Sequence, residues 1–114
     1  MPETSPHILH LTERPLWDAA LARGTYEWST RGRTLREEGF IHCSTRAQLP
    51  GVAAFLYGER GGAETPGDLV VLVIDPQRLD VPLRYEAAAP GGEEFPHVYG
   101  PLPVAAVVAV EEWR

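Results

Sequence analysis

The chain has 114 residues, a hydrophobic fraction of 44% and a formal net charge of −6 at pH 7. These values predict one soluble globular domain over residues 1–114 and argue against a nucleic-acid partner, which would require a basic face. The single cysteine excludes an intrachain disulfide, and no apolar run approaches the roughly 20 residues of a membrane span, so we expect a cytoplasmic protein without a membrane partner.

Hydrophobic periodicity and turn residues predict a series of short elements, preceded by a flexible segment at residues 1–6. The first half of the chain contains a strand at His7–Thr12, a helix at Pro15–Arg23 that is capped by Thr12 and stopped by Gly24, an extended segment at Thr25–Ser29, a helical turn within residues 30–38 and a strand at Gly39–Thr45. A second helix follows, capped by Ser44 or Thr45 and interrupted at Pro50-Gly51. The second half contains a loop at Gly58–Gly67, a strand at Leu69–Ile74, a turn at Gln77–Leu79, a strand at Val81–Glu86, a loop at Ala87–Glu94 and a buried strand at Val104–Val110.

The fold class that follows is α+β. Six consecutive apolar residues at Leu69–Ile74 predict a central strand that is covered on both faces. Five or six strands and two main helices, with strand-rich segments near both ends of the chain, favour two small mixed or antiparallel sheets that flank a cleft.

The stretch Gly39–Thr45 is the centre of the predicted site. In an extended chain Phe40, His42 and Ser44 share one face, whereas Ile41 and Cys43 share the other. This phase places a histidine and a hydroxyl together and turns Cys43 toward the core. A core strand with an inert, hydrogen-bonded histidine is the alternative that the sequence leaves open.

Three of the four histidines are each followed two positions later by a hydroxyl-bearing side chain. Histidine suits proton transfer near neutral pH and the orientation of ribose or phosphate oxygens. We therefore predict one shared pocket with His42 and His97 as catalytic residues. The pairs are His10/Thr12, His42/Ser44 and His97/Tyr99.

Other side chains complete the predicted site. Glu86 is the favoured general base or ribose partner, whereas Glu93-Glu94 is expected to face solvent. Aromatic rings that would stack on a flat ligand are Tyr26, Phe95 and Tyr99, and the predicted ligand contacts include His10, Thr12 and Ser44.

The remaining charged and metal-binding patterns are weaker. Arg31, Arg33 and Arg36 form a loose cluster that would suit a phosphorylated ligand, but a solvated surface is favoured. No metal site is predicted, because histidines at metal-ligand spacing and a cysteine pair are both lacking.

Five motifs in order give the chain a family resemblance: LHLT, LWDAALARGTY, EEGFIHCST, LVVLVID and FPHVYGPL. As a set they resemble the domain-of-unknown-function 952 family. The resemblance implies a compact ADP-ribosyltransferase-like fold, related to tRNA 2′-phosphotransferases and diphtheria-toxin-like enzymes, and with it a ligand of NAD or ADP-ribose type.

The resemblance also implies roles for individual residues. His10 matches the first-strand histidine that holds the nicotinamide-side ribose in that fold. His97 stands on the strand where many ADP-ribosyltransferases keep a catalytic glutamate, so this chain departs from the family of enzymes at that position.

Three functions compete on the sequence alone. The first is a transferase-like enzyme, or a former enzyme, that binds a nucleotide-like small molecule in the histidine cleft. The second is a two-histidine phosphodiesterase that uses His10 and His42 as base and acid. The third is a binding or accessory module without catalysis. No cofactor is certain, and the oligomeric state stays open.

Overall fold

The computed structural model describes residues 7–58 and 68–113, so the predictions for residues 1–6 and for most of the Gly58–Gly67 loop lie outside the described residues. The strands are β1 (Ile8–Glu13), β2 (Thr25–Tyr26), β3 (Trp28–Thr30), β4 (Arg33–Thr34), β5 (Ile41–His42), β6 (Leu69–Ile74), β7 (Leu83–Ala87), β8 (Glu94–Val98), β9 (Leu102–Pro103) and β10 (Val107–Glu112). The helices are α1 (Arg14–Arg23), α2 (Leu35–Glu38) and α3 (Leu49–Tyr57).

Strand β6 lies at the centre of the main sheet, between β1 and β10, and pairs with both in the antiparallel sense. All six of its residues are buried, which confirms the prediction of a strand covered on both faces. One face packs on α3 through Val71 and Val73 against Leu49 and Ala53. The other face packs on α1 and the second sheet.

The second sheet is antiparallel in the order β5-β8-β7, and residues 41–44 join it to the main sheet. The Cys43 amide donates to the Pro96 carbonyl at 2.9 Å, and Ser44 and Leu9 exchange backbone hydrogen bonds at 2.8 Å. The segment after β5 therefore passes from one sheet to the edge of the other. Two smaller antiparallel pairs, β2-β9 and β3-β4, complete the described strands.

The predicted end of α1 is confirmed, but its predicted cap is wrong. Gly24 adopts a left-handed conformation with φ of 94°, and its amide donates to the Ala20 carbonyl. The residue at the N-cap is Glu13, without a side-chain cap. Thr12 points into the interior instead, where it is hydrogen-bonded to Tyr26.

Helix α3 differs from the prediction at its start. Pro50 lies in the first turn, where its missing N–H costs nothing, so it begins the helix rather than interrupts it. Thr45 does act as a cap, for the turn that leads into α3: its hydroxyl accepts from the Gln48 amide at 3.2 Å, and the Gln48 side chain accepts from the Thr45 amide at 3.0 Å.

The last strand begins three residues later than the predicted Val104–Val110, ends two residues later, and is not fully buried. Residues 104–106 form a 3₁₀ turn, and β10 runs from Val107 to Glu112. Val108 and Val110 are 42% and 39% exposed, because β10 pairs only with β6 among the described strands. The apolar run at Val104–Val110 therefore predicted a strand, but it did not predict that this strand lies at the edge of the sheet.

The α+β class is confirmed in its coarse form, as several small antiparallel sheets with three helices among the described residues. The prediction of two sheets was too simple, because two short pairs accompany the two three-stranded sheets. α1 and α3 are the two main helices, and α2 is a single turn of four residues. No helix in the described ranges is long and apolar enough to cross a membrane.

The absence of a side chain at Gly100, just after β8, allows the backbone there to lie close to Val81, just before β7. A Cβ atom at Gly100 would lie 2.6 Å from Val81 Cγ1 and 2.9 Å from Val81 Cβ. We expect Gly100→Ala to lower the free energy of unfolding by about 1–3 kcal/mol through this overlap. Gly51→Ala, in the first turn of α3 with open space around it, is the control and should leave stability equal or slightly higher. Equal denaturation midpoints for wild type and Gly100→Ala would contradict the prediction.

Candidate functional site

His42 and His97 lie side by side because neighbouring strands pair them directly. β5 and β8 are antiparallel, and His42 is the cross-strand partner of His97. Residues paired in this way project to the same face of a sheet. The two imidazole rings accordingly meet edge to face, with their centroids 5.2 Å apart.

Phe40 covers this histidine pair. Its ring stacks on His97 with 4.1 Å between centroids and lies 4.6 Å from the ring of His42. Phe40 lies in the bend that leads into β5, two positions before His42, and this bend brings its ring against both imidazoles. The contact places an apolar surface against both imidazoles and reduces their access to water.

Glu86 of β7 fixes the tautomer of His97. Its Oε1 atom accepts hydrogen bonds from His97 Nδ1 at 2.8 Å and from the Tyr99 hydroxyl at 2.5 Å. The bond from Tyr99, and after it the bond from His97, lowers the pKa of Glu86, so the carboxylate stays ionised. Because Nδ1 donates to this carboxylate, Nε2 carries the lone pair of a neutral His97 ring.

His42 is the more exposed ring of the pair, with 41% of its side chain accessible. Its pKa is lowered, chiefly because partial burial disfavours the charged ring and then because two positive charges on the neighbouring rings of His42 and His97 would repel each other. Glu38 opposes that shift, with its Oε1 atom 3.8 Å from His42 Nε2. His42 is therefore predominantly neutral at neutral pH and open to the cleft.

His10 lies behind the pair and is 3% exposed. Its Nδ1 atom is 2.6 Å from the His42 carbonyl oxygen, to which it donates, and its Nε2 atom is 2.8 Å from the Tyr26 hydroxyl. Burial lowers the pKa of His10 to about 4. Since a neutral ring has one N–H and Nδ1 uses it, Nε2 accepts from Tyr26. Thr12 completes this buried chain at 2.7 Å from the Tyr26 hydroxyl.

The histidine pair forms one wall of an open cleft of about 1250 Å³. Helix α3 supplies the facing wall through Val52, Phe55 and Leu56, and Phe95 of β8 also lines the space. Phe55 is 88% exposed, so a large aromatic ring stands in solvent at the mouth. The lining combines aromatic surface with a few polar groups, as small-molecule sites do.

Gln48 ties the loop before β8 to the start of α3. Its Nε2 atom donates to Glu93 Oε2 at 2.9 Å and to the Glu94 carbonyl at 2.8 Å. Both Gln48 and Glu93 line the cleft. Glu93 is exposed, as expected, and it is also held at the mouth of the site.

The structure brings together some of the predicted site residues and separates others. Those that line the cleft are His10, His42, Glu86, Phe95 and His97. Tyr99 does not line it but holds Glu86. Thr12, Tyr26 and Ser44 are buried and do not line it, and Thr12 and Tyr26 are hydrogen-bonded to each other in the interior. The backbone of Ser44 pairs with that of Leu9 in the main sheet. The spacing of Ser44 from His42 in the sequence did not predict this pairing.

Several lining residues were missed by sequence reasoning. The sequence could have predicted Phe40, because it shares the face of His42 in the predicted strand. It could not have predicted Gln48, Phe55 and Glu93, because they come together only when α3 packs on the main sheet and faces the β7–β8 loop.

The structure also gives the positions of Cys43 and of the arginine cluster. Cys43 is buried in the core, as expected, and burial raises the pKa of its thiol. Arg31 lies over the Tyr57 ring and Arg33 pairs with Glu38 at 3.0 Å, which favours a surface role for that cluster. Within residues 7–58 and 68–113 no group of three or more His, Cys, Asp or Glu side chains is placed to hold a metal ion.

Comparison with known proteins gives a family and a shared fold. A family model described as a protein of unknown function (DUF952) matches residues 11–110. The crystal structure of CC0527 from Caulobacter crescentus is similar with a TM-score of 0.70 and 33% identity, covering 93% of this chain and 84% of that one. Its solution NMR structure gives a TM-score of 0.68 at 33% identity, with 93% and 83% covered. No curated protein matches.

Protonation of His10 is predicted to cost stability in mild acid. The pKa of His10 is about 4 in the fold and 6.5 as the ordinary value, so the unfolded chain takes up the proton first as the pH falls. The stability that the neutral ring supplies is complete above about pH 6.5 and is lost progressively toward pH 4, by about 3 kcal/mol at most.

The measurement is chemical denaturation at pH 7.5 and pH 4.5 for wild type, His10→Gln and His7→Gln. His10→Gln should be less stable at pH 7.5 but should lose clearly less between the two pH values than wild type does. His7 is exposed, and its variant should behave as wild type. Equal losses in wild type and His10→Gln would show that His10 does not titrate with folding.

Proposed function

This chain belongs to the DUF952 family, whose description assigns no activity, and we propose that its cleft binds a small molecule with a planar ring and that His97 and His42 transfer protons with it. The observation that carries the proposal is a pair of adjacent imidazoles in a cleft, one of them hydrogen-bonded to a carboxylate. A base held by a third group is the arrangement that general acid–base sites use.

His97 is the general base in this proposal. Its Nδ1–H bond to Glu86 leaves Nε2 as the proton acceptor, and the same carboxylate stabilises the imidazolium once the proton has arrived. Tyr99 holds Glu86 from the other side, which limits the rotation of the carboxylate. Glu86 and Tyr99 are positioning residues, because they act through His97.

His42 is the second member of the pair. Its ring is close enough to His97 for both to meet one ligand, and it begins neutral because its pKa is lowered. A positive charge on one ring disfavours a second positive charge on the other. Such a pair can take a proton from one atom of a ligand and return it to another.

A planar ring in the ligand is supported by three phenylalanines. Phe40, Phe55 and Phe95 line the cleft, and aromatic side chains pack well on flat rings. The resemblance to ADP-ribosyltransferases adds a candidate, a ligand of NAD or ADP-ribose type on a transferase-like fold. That fold, that ligand and a cytoplasmic location stay proposals that rest on the sequence.

A second candidate function is a two-histidine phosphodiesterase in which His97, and not His10, is the partner of His42. His10 was the expected partner of His42, but both ring nitrogens of His10 are engaged in the interior. The ring that lies beside His42 in the cleft is His97. The acid and base of such an enzyme would therefore be His42 and His97.

We predict that turnover depends on both rings. The assay incubates the protein with NAD, ADP-ribose and a nucleoside 2′,3′-cyclic phosphate and follows products by chromatography, with calorimetry for binding. His42→Gln and His97→Gln should each lower the rate about 100-fold or more. Glu86→Gln should lower it less and shift the pH profile, because the base remains but its orientation is lost. His7→Gln is the control and should match wild type.

The outcomes separate the candidate functions. Release of nicotinamide favours transferase-type chemistry, and ring opening of the cyclic phosphate favours the phosphodiesterase. Binding without turnover favours the accessory module and removes the acid–base role. Turnover that survives in both His42→Gln and His97→Gln would overturn the proposal.

A further inference from the structure

We propose that the cleft selects a ligand whose planar ring bears a positive charge, an inference that rests on the proposed small-molecule function of the same cleft. Three observations carry it: the carboxylates of the lining, the placement of the nearby arginines away from the lining, and the exposed aromatic surface.

The described lining residues are acidic on balance. Glu86 and Glu93 line the cleft, and neither Arg nor Lys does so among the described residues. Glu38 lies next to His42 outside the lining, but Arg33 pairs with it at 3.0 Å, so it adds little net charge. The two lining carboxylates would attract a cationic ring, and they disfavour the anionic candidates of the proposed function, ADP-ribose and a cyclic phosphate.

The neighbouring arginines lie outside the lining and offset these carboxylates only in part, since the charge of Arg84 lowers the pKa of Glu86. Arg84 is the cross-strand partner of His97, yet its guanidinium lies over the Tyr99 ring at 5.5 Å and does not line the space. Arg31 lies over the Tyr57 ring at 4.5 Å and donates to the Leu56 carbonyl. Each is held by an aromatic ring outside the cleft.

The aromatic surface suits the same ligand class. The face of a phenyl ring is electron-rich and attracts cations, most strongly where water is partly removed. Phe40 and Phe95 supply such surface within the cleft, and Phe55 stands almost fully exposed at its mouth. A flat cation between α3 and the second sheet would cover Phe55 and meet Glu93, which Gln48 holds in place.

Three probes of matched ring size test the charge preference: N-methylquinolinium, quinoline and quinoline-4-carboxylate. Calorimetry at pH 7.5 with the full chain should give an affinity for the cation at least tenfold higher than for the carboxylate, with neutral quinoline between them. Equal affinities, or tighter binding of the carboxylate, would overturn the inference.

Variants then identify the groups that select the charge. Glu93→Gln should weaken N-methylquinolinium about threefold or more and change quinoline little. Phe55→Leu keeps an apolar side chain but removes the aromatic face, so it should weaken the cation more than quinoline. Asp18→Asn removes an exposed carboxylate that does not line the cleft and is the matched control. Equal losses in Asp18→Asn and Glu93→Gln would point to net charge alone and overturn the local assignment.

Imidazole NMR signals separate this inference from the proposed function. If all three probes shift the signals of His42 and His97 with equal affinity, the cleft binds planar rings but charge selection is wrong. If no probe shifts either signal at millimolar concentration, both the inference and the small-molecule function fail.

Discussion

The site depends on the hydrogen bond from His10 Nδ1 to the His42 carbonyl. This bond is 2.6 Å long and runs from the main sheet to the second sheet, beside the backbone pair of Leu9 and Ser44. A neutral, buried His10 can satisfy the carbonyl without bringing a charge into the core. The backbone of His42 is thereby fixed, and its ring is presented next to His97. Movement of this segment would separate the two imidazoles.

Similar histidines thus take different roles because of their surroundings. His10 is enclosed, its two ring nitrogens are used internally, and its pKa falls to about 4. His97 has one nitrogen bound to Glu86 and one left for the cleft. His42 keeps much of its ring accessible. The cleft also combines carboxylates with phenyl rings, and this combination favours a positively charged ligand over a neutral or negatively charged one.

The sequence predicted what depends on local pattern. Alternation placed Phe40 with His42, and six apolar residues predicted the buried β6. Packing decided the rest. Ser44 is buried and does not line the cleft, because its backbone pairs with Leu9 of the main sheet. Val108 is exposed because β10 lies at an edge of that sheet. The approach of α3 to the β7–β8 loop, which brings Phe55 and Glu93 to the site, has no counterpart in local spacing.

The most direct test of the account is the protonation of His97 in the free protein, measured from the ¹⁵N shifts of its imidazole in long-range ¹H–¹⁵N spectra at pH 7.5. We expect a protonated Nδ1 and an unprotonated Nε2, with this distinction reduced in Glu86→Gln. A proton on Nε2 and a bare Nδ1, or shifts unchanged in Glu86→Gln, would contradict a base that Glu86 orients toward the cleft.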